Sequence, residues 1–216
     1  MKQEDTKNVI LQKALDLFSE RGYDAVSVGE IAKAVGIKAP SLYNHYPSKQ
    51  AIFDAIVADT ARHYADDTDK KDIHVENGAD DAPTFEGITA DFLKEKVRFI
   101  FTYSLHDEKV SKFRKMLKIE QFRTPEFAKL YSQRYVDRIV EYHAEIFKKL
   151  IASGEIMPVD PVTLATLYAT PIITLIDVCD RQPERERECA KRIDEHVDLF
   201  FETFNVSRGE KNEKNN

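Results

Sequence analysis

The sequence predicts an all-α fold. A small N-terminal three-helix module is expected over residues 1–47 and a larger helical body over residues 48–206, with about nine helices in all. Apolar residues recur at helical spacing through most of the 216 residues. No run alternates apolar and polar residues between turn signals, as the strands of a hairpin would. Glycines and prolines separate the helical stretches, and no repeat with a period of roughly 20–50 residues is present.

Three short helices are predicted in the N-terminal module. An apolar stripe indicates the first helix, and Gly22 is suited to end it in the left-handed conformation. Ser27 followed by Glu30 forms a capping box, which predicts the start of a second helix that ends at Gly36. A short third helix is expected over Pro40–Tyr46, since proline is favoured in a first turn. The stripe of the first helix consists of Ile10, Ala14, Leu17 and Phe18.

The body is predicted to begin with a fourth helix that Ser48 caps and that reaches about His63. Residues 66–83 are rich in acidic side chains and poor in large apolar ones, so we expect a loop or partly disordered linker there. The tail, residues 207–216, is predicted to be disordered. The remaining helices are predicted at Phe85–His106, Glu108–Gln121, Pro125–Ser153, Pro161–Asp180 and Pro183–Phe204.

Composition and charge exclude several classes of protein. Cys179 and Cys189 form no CxxC pair and have no zinc-ligand spacing, so neither a disulfide framework nor a metal site is expected, and a reducing cytoplasm fits. The N-terminus enters a polar helix directly, which predicts no secretory signal. The stretch Pro161–Ile176 is uncharged but shorter than the roughly 18 apolar residues that a membrane span needs, so a buried or subunit-facing helix is the better interpretation.

The segment Ser27–Lys49 has the build of a helix-turn-helix, in which a glycine turn joins a first helix to a short second helix that enters the major groove of DNA. The net charge of −6 argues against nucleic acid at first sight. The local field matters more, however, and Ile31–Phe53 contains no acidic residue. We therefore predict DNA contacts from the outer face of the short helix and its flanks, through Ser27, Lys38, Ala39, Pro40, Ser41, Tyr43, Asn44, His45, Tyr46 and Lys49.

About the first 60 residues resemble the DNA-binding domain of the tetracycline-repressor (TetR) family of bacterial regulators. The motifs in register are Ala-Leu-x-Leu-Phe, Gly-Tyr, Ile-Ala-x-x-x-Gly, Ser-Leu-Tyr-x-His-Tyr and Ser-Lys. The resemblance implies a homodimer that binds a palindromic operator through the N-terminal module and a small-molecule inducer in the body. Beyond Asp66 only the general helical layout is similar.

Two departures from the family pattern alter which bases are read. Lys38 stands where the family usually has Ser or Thr, so the side-chain cap of the recognition helix is expected to be missing. Pro40 and Asn44 replace a residue that is often glycine and one that is often aromatic. Alternatively, the same segment could be a helical hairpin that packs into the core. The match of all the motifs to the family pattern, in the same order and spacing, favours DNA binding.

The last two helices carry apolar stripes that could pack against a second copy as a four-helix bundle, or serve only the chain's own core. Such a dimer would set the distance between its two recognition helices. This distance must match one DNA turn of roughly 34–36 Å. The candidate interface residues are Leu164, Leu167, Ile172, Leu175, Ile193, Val197, Phe200, Phe201 and Phe204.

The central helices are rich in large side chains with a polar tip, a mixture that suits an apolar or aromatic effector or an aromatic core. A ligand there is expected to shift the body helices and the fourth helix, and so to change the distance between the two recognition helices of the dimer. The candidate pocket residues are Phe99, Tyr103, Met116, Phe122, Tyr135, His143, Tyr168 and Pro171.

No catalytic or cofactor-binding motif is present: the sequence contains no nucleophile elbow, P-loop, GxGxxG or HExxH. His106-Asp107-Glu108 is predicted to end one helix and cap the next instead of forming a metal or acid–base cluster. The expected protein is therefore not an enzyme and needs no cofactor. The alternative is that the same fold serves as a nucleoid-associated or protein-docking module without an inducer.

Overall fold

The computed structural model describes residues 3–74, 77–87 and 89–206, and within them it is all-helical apart from one isolated bridge between Ile156 and Asn205. This confirms the predicted fold class. The helices are α1 Gln3–Arg21, α2 Val28–Val35, α3 Ala39–Tyr43, α4 Lys49–Asp69, α5 Gly78–Asp81, α6 Ala90–His106, α7 Glu108–Glu120, α8 Pro125–Ser132, α9 Arg138–Ala152, α10 Pro161–Arg181 and α11 Glu186–Phe204.

The eleven helices of the described residues exceed the nine that the sequence predicts, for two reasons. The single helix expected over Pro125–Ser153 is divided by a π-helical turn at Gln133–Asp137, where the wider hydrogen-bond pattern interrupts the α-helix. In addition, the short helix α5 forms in a segment that was predicted to be a loop. Spacing alone reveals neither feature.

The loop prediction for residues 66–83 is wrong in its first part and its last part. Helix α4 continues to Asp69, six residues past the predicted end at His63, and a 3₁₀ turn over Ala82–Phe85 follows α5. Low hydrophobicity suggested disorder, but the segment is held by polar anchors that composition does not show.

The main anchor of this segment is Asp81, whose side chain is 1% exposed. Its carboxylate accepts hydrogen bonds from the backbone N–H of His74 (2.7 Å) and from the hydroxyl of Tyr142 on α9, and it also pairs with the His74 ring. A buried carboxylate that is satisfied in this way stabilises one conformation, because any opening of the segment would leave these groups unpaired.

The described residues form two compact units that do not follow chain order. The first unit contains residues 3–64 and 107–131, and the second contains residues 65–74, 77–87, 89–106 and 132–206. The predicted functional division at residues 1–47 and 48–206 is a separate matter and stays a prediction, while the predicted disordered tail, residues 207–216, lies outside the described residues.

The core of the first unit joins α1, α2, α3, α4 and α7. The buried Phe18 of α1, Leu42 of α3 and Phe113 of α7 each have 0% exposure. Tyr23, Phe53 and Phe127 form an edge-to-face aromatic cluster with ring centroids 5.0–5.5 Å apart. Burial of these large side chains supplies most of the stabilisation of a unit that carries a short, weakly helical α3.

The core of the second unit is formed mainly by α6, α9, α10 and α11. Helix α6 ends at His106, and Asp107 begins α7 by accepting a hydrogen bond from the Val110 N–H (2.9 Å), as the sequence predicted for this junction. Cys179 and Cys189 are free and buried between α10 and α11. Burial raises the pKa of the Cys179 thiol to about 12, so it packs as a protonated, apolar group.

Within the described residues, α10 is the helix that is long and apolar enough to cross a membrane by length and composition alone. The core helix of a soluble protein passes the same test, so this finding is weak evidence for a membrane span. Only 33% of its apolar 18-residue window is buried within the protomer, which leaves much of the uncharged surface uncovered.

Candidate nucleic-acid interface and ligand cavity

The start of α2 is set by the capping box that the sequence predicted. The Ser27 hydroxyl oxygen accepts a hydrogen bond from the Glu30 N–H (3.2 Å), and the Glu30 carboxylate accepts one from the Ser27 N–H (2.8 Å). The bonds from Ser27 and the guanidinium of Arg21, 2.7 Å away, lower the pKa of Glu30 to about 2. The N-terminal end of α2 therefore carries a fixed carboxylate. Any phosphate held by Ser27 would have to compete with it.

The turn between α2 and α3 is a glycine cap. Gly36 has φ +80°, the left-handed conformation, and the Ile37 N–H donates to the Ala32 carbonyl (2.9 Å). Lys38 then precedes α3 and makes no side-chain capping bond, as predicted from the departure at that position. Leu42, with 0% exposure, anchors the five-residue helix to the core, so its opposite face is held outward.

The outer face of α3 and its flanks carry the predicted DNA contacts at graded exposure. Tyr43 is 51% exposed although Leu42, its neighbour in the chain, is wholly buried. Ala39, His45 and Tyr46 are half-buried, and burial raises the pKa of the Tyr46 hydroxyl, which keeps it a hydrogen-bond donor. The exposed members of the predicted set are Ser27, Lys38, Pro40, Ser41, Tyr43 and Asn44.

Lys49 has a structural role that the sequence prediction missed. Its ammonium group donates to the backbone carbonyls of Tyr23 (3.0 Å) and Val26 (3.1 Å) and lies 4.3 Å from the centre of the Tyr23 ring. Two of its three N–H donors are thus used to hold the loop between α1 and α2. One donor is left for a phosphate. Lys49 therefore stabilises the N-terminal module in addition to its predicted contact with DNA.

Helix α7 holds α1 and the residue Tyr23 that follows it, and nothing in the local motif showed these contacts. Glu120, with 0% exposure, accepts a hydrogen bond from the Tyr23 N–H (2.9 Å) directly after α1. Lys112 pairs with Asp16 of α1 at 2.6 Å. A buried acid and a lysine on one helix are a weak signal of such contacts, because the sequence does not show which distant groups they will meet.

The comparisons with known proteins agree with this geometry. Residues 10–56 match the family model described as bacterial regulatory proteins, tetR family. A segment of 51 residues is 47% identical to IcaR of Staphylococcus aureus strain Newman, the negative transcriptional regulator of the biofilm operon icaADBC. The match covers 24% of this chain and 27% of the regulator's length. Residues 10–56 are thus similar to the matching segment of TetR-family regulators.

Solved structures are similar in fold to nearly the whole chain. A TetR family transcriptional regulator from Pseudomonas syringae pv. tomato matches with a TM-score of 0.67 at 15% identity, over 95% of this chain and 100% of that one. SmeT, the repressor of the Stenotrophomonas maltophilia multidrug efflux pump SmeDEF, matches with a TM-score of 0.66 at 15% identity, over 92% and 90%. At these identities the matches show the fold alone. The family whose model matches residues 10–56 is one of regulatory proteins, not of enzymes.

The second unit contains a cavity of about 40 Å³. Of the eight predicted pocket residues, only His143 and Tyr168 line it. Its walls are mostly aromatic and aliphatic side chains from α9 and α11, which the prediction had left out or assigned to a dimer. The lining residues are Phe85, Leu93, His143, Ile146, Phe147, Leu150, Glu155, Ile156, Tyr168, Phe200, Phe201, Phe204 and Asn205.

The other six predicted pocket residues do not line this cavity. Met116 is wholly buried in the first unit, and Phe122 is 89% exposed. Phe99 stacks on Tyr103 with ring centroids 5.7 Å apart, Tyr135 lies in the π-helical turn, and Pro171 lies inside α10. Residue type suggested a pocket, but the face that a residue occupies on its helix decides what it lines.

Four polar side chains line the cavity, Glu155, Asn205, His143 and Tyr168, and the last two of these are neutral. The Nδ1 of His143 donates to the Ile139 carbonyl (2.7 Å), and burial lowers the pKa of His143 to about 4. Burial also raises the pKa of the Tyr168 hydroxyl, which therefore remains protonated. Their rings are 4.9 Å apart between centroids.

The lowered pKa of His143 predicts a pH-dependent loss of stability. The unfolded chain, with a His pKa of 6.5, binds more protons than the folded chain between that value and about 4, so the free energy of unfolding falls as pH is lowered through this window. We expect about 3 kcal/mol of this fall to be absent in His143→Phe. Urea unfolding of both proteins at about pH 7 and about pH 4 measures the difference, and parallel pH dependences would contradict the assignment.

Most of the predicted dimer residues belong to the protomer's own core. Leu164, Ile193 and Val197 have 0% exposure, and Ile172 and Phe200 have 8% and 6%, so they have little surface left for a partner. The stripes at helical spacing were correctly identified as apolar faces, but they face inward. Phe201 and Phe204 are half-buried at the cavity, and Leu175 is half-buried against the core, whereas Leu167 remains 50% exposed.

Proposed function

We propose that this chain is a cytoplasmic transcriptional repressor that binds a palindromic operator as a homodimer and is released by a small-molecule effector. The single observation that carries the proposal is the α2–turn–α3 unit, in which Leu42 is wholly buried while Tyr43 and Asn44 remain exposed. A short helix anchored on one face and open on the other has the geometry required for insertion into a DNA groove.

The chemistry of that face suits a duplex. The Asn44 amide can bond a base edge, and the Tyr43 hydroxyl can bond a phosphate or base. Lys38 and the free N–H of Lys49 supply positive charge, and Ile31–Phe53 contains no acidic residue. The face can therefore approach phosphates although the whole chain carries a net charge of −6.

The homodimer is supported by the uncovered side of α10. Val162 and Leu167 are 55% and 50% exposed, and Pro161–Ile176 contains no charged residue. The neighbouring α11 adds Leu199, which is 64% exposed. A second copy would remove these apolar side chains from water, so the proposed interface uses this outer side and not the inward stripes that the sequence suggested.

The effector site is proposed at the cavity lined by His143 and Tyr168. Apolar walls with a few polar groups are typical of small-molecule sites. A ligand releases the operator only if it binds the DNA-free state more tightly than the DNA-bound state.

Truncation of Tyr43 tests DNA recognition. The preferred duplex is first obtained by selection from random oligonucleotides, and affinity is then measured by fluorescence anisotropy at two salt concentrations. We expect Tyr43→Ala to weaken binding about tenfold or more because one direct contact is lost. Phe122→Ala is the matched control: it removes an 89% exposed aromatic side chain outside the reading face, and it should leave affinity unchanged.

The same titrations test the alternatives. Sedimentation of the complex should give two protomers on one palindrome, with an affinity that falls steeply with salt. Equal affinity for every duplex would instead favour a nucleoid-associated protein. No binding to any duplex would favour a protein-docking module.

A further inference from the structure

We propose that the cavity in the second unit takes a small neutral molecule with an aromatic or aliphatic body and one hydroxyl group, which donates a hydrogen bond to Nε2 of His143 and accepts one from the hydroxyl of Tyr168. This inference rests on the proposed function, since it names the chemical class of the effector. It is argued from the lining side chains and their remaining hydrogen-bonding capacity.

The acceptor is defined by the bond on the other side of the His143 ring. A carbonyl oxygen only accepts, so the bond from Nδ1 to the Ile139 carbonyl (2.7 Å) places the proton on Nδ1. The ring is neutral near pH 7, because burial lowers its pKa to about 4. Nε2 therefore presents a lone pair, and it accepts no hydrogen bond from the described residues.

The donor is the Tyr168 hydroxyl. Tyr168 is 2% exposed, and its backbone carbonyl accepts from Nε2 of His196 (2.9 Å), which fixes the start of the side chain. Its hydroxyl has no hydrogen-bond partner among the described residues, although burial keeps it protonated. The hydroxyl therefore keeps its donor for a ligand oxygen in the cavity.

The charge of the cavity disfavours anionic ligands. No lysine or arginine lines it, so a carboxylate or phosphate would be buried without a counter-charge. The charged lining residue, Glu155, is already engaged: its carboxylate accepts from the Gly87 N–H (2.5 Å) and from the Ser153 hydroxyl (3.2 Å). A neutral ligand is the class that these groups leave room for.

The walls favour a flat, apolar body. Phe147 and Tyr168 meet edge to face at 5.7 Å, and Phe147 lies 5.5 Å from Phe200. The cavity of about 40 Å³ has room for only two or three water molecules. Phe201 and Phe204 are lining aromatics that keep partial exposure, so rotation of these side chains enlarges the site for a single ring.

The test compares three matched probes against the full-length protein by calorimetry and thermal shift: 4-ethylphenol, ethylbenzene and 4-ethylbenzoate. We expect 4-ethylphenol to bind about tenfold more tightly than ethylbenzene, and the anion to bind least. In Tyr168→Phe, which removes a single oxygen, the advantage of the phenol should shrink several-fold while ethylbenzene affinity stays the same. Tyr103→Phe is the control, since its hydroxyl donates to Asp67 and does not line the cavity.

The outcomes separate the ligand class from the function. Equal binding of phenol and ethylbenzene, tightest binding of the anion, or no binding of any probe would overturn the inference, even if another compound released the operator. Phenol binding that depends on Tyr168 supports it. If that binding leaves operator affinity unchanged in an anisotropy assay, the ligand class stands and effector-controlled DNA binding fails.

Discussion

Gly22→Ala is expected to destabilise the first unit by about 3 kcal/mol, the sum of a backbone and a contact effect. Gly22 has φ +83°, which an alanine adopts only with strain. Its new Cβ would also lie 2.5 Å from Oε1 of Glu120, the oxygen that accepts the Tyr23 N–H. The carboxylate must move and leave a buried donor unpaired. Urea unfolding followed by circular dichroism measures the loss.

Gly154→Ala is the matched control for this prediction. Gly154 has nearly the same φ, +81°, but a Cβ there would meet no atom within 4 Å. We expect a cost of about 1 kcal/mol, the backbone effect alone. Equal losses in the two variants would show that the contact with Glu120 contributes nothing to stability. The proposed stabilisation of the N-terminal module by α7 would then be wrong.

Gly78→Ala is expected to cost about 3 kcal/mol or more in the second unit. A Cβ on Gly78 would lie 2.1 Å from the carbonyl oxygen of Tyr142 and 3.0 Å from its carbonyl carbon. Both atoms belong to the backbone of α9, so no side-chain rotation relieves the overlap. Helix α5 must move away from α9, which breaks the hydrogen bond from the Tyr142 hydroxyl to the buried Asp81. Thermal and urea unfolding measure the effect.

Gly29→Ala provides the comparison. Gly29 lies in the first turn of α2, and its nearest neighbour to a new Cβ is the Ser27 hydroxyl oxygen at 3.8 Å, an ordinary contact. Alanine should be neutral or stabilise by up to about 1 kcal/mol, because it favours helix. If Gly78→Ala behaved in the same way, the close packing of α5 on α9 would not exist in solution.

Local chemistry made the N-terminal module predictable. The capping box at Ser27, the glycine turn at Gly36, the missing cap at Lys38 and the cap at Asp107 all involve partners within a few residues of one another. Such interactions depend on residue type and spacing, which are visible in the chain itself. The face of α3 exposed for DNA follows from the same spacing once Leu42 is recognised as its anchor.

The second unit was less predictable because its contacts join distant residues. Asp81 meets Tyr142 across 61 positions, and this bond orders a segment whose composition suggested a loop. The cavity collects side chains from α6, α9, α10, α11 and the segments around them, so no single helix carries a pocket motif. Phe200 appeared to face a partner, but it lines the protomer's own cavity.

The amino-acid sequence by itself determined the all-helical class, the helix-turn-helix and the resemblance to the TetR family. It did so through hydrophobic period, caps and turn residues, whose effects extend only a few positions along the chain. Tertiary structure alone decided which apolar stripe faces inward, which polar groups share a cavity and which distant helix stabilises the N-terminal module. Those choices depend on how helices distant in the chain pack, and hydrophobic burial is too non-directional for a one-dimensional pattern to specify them.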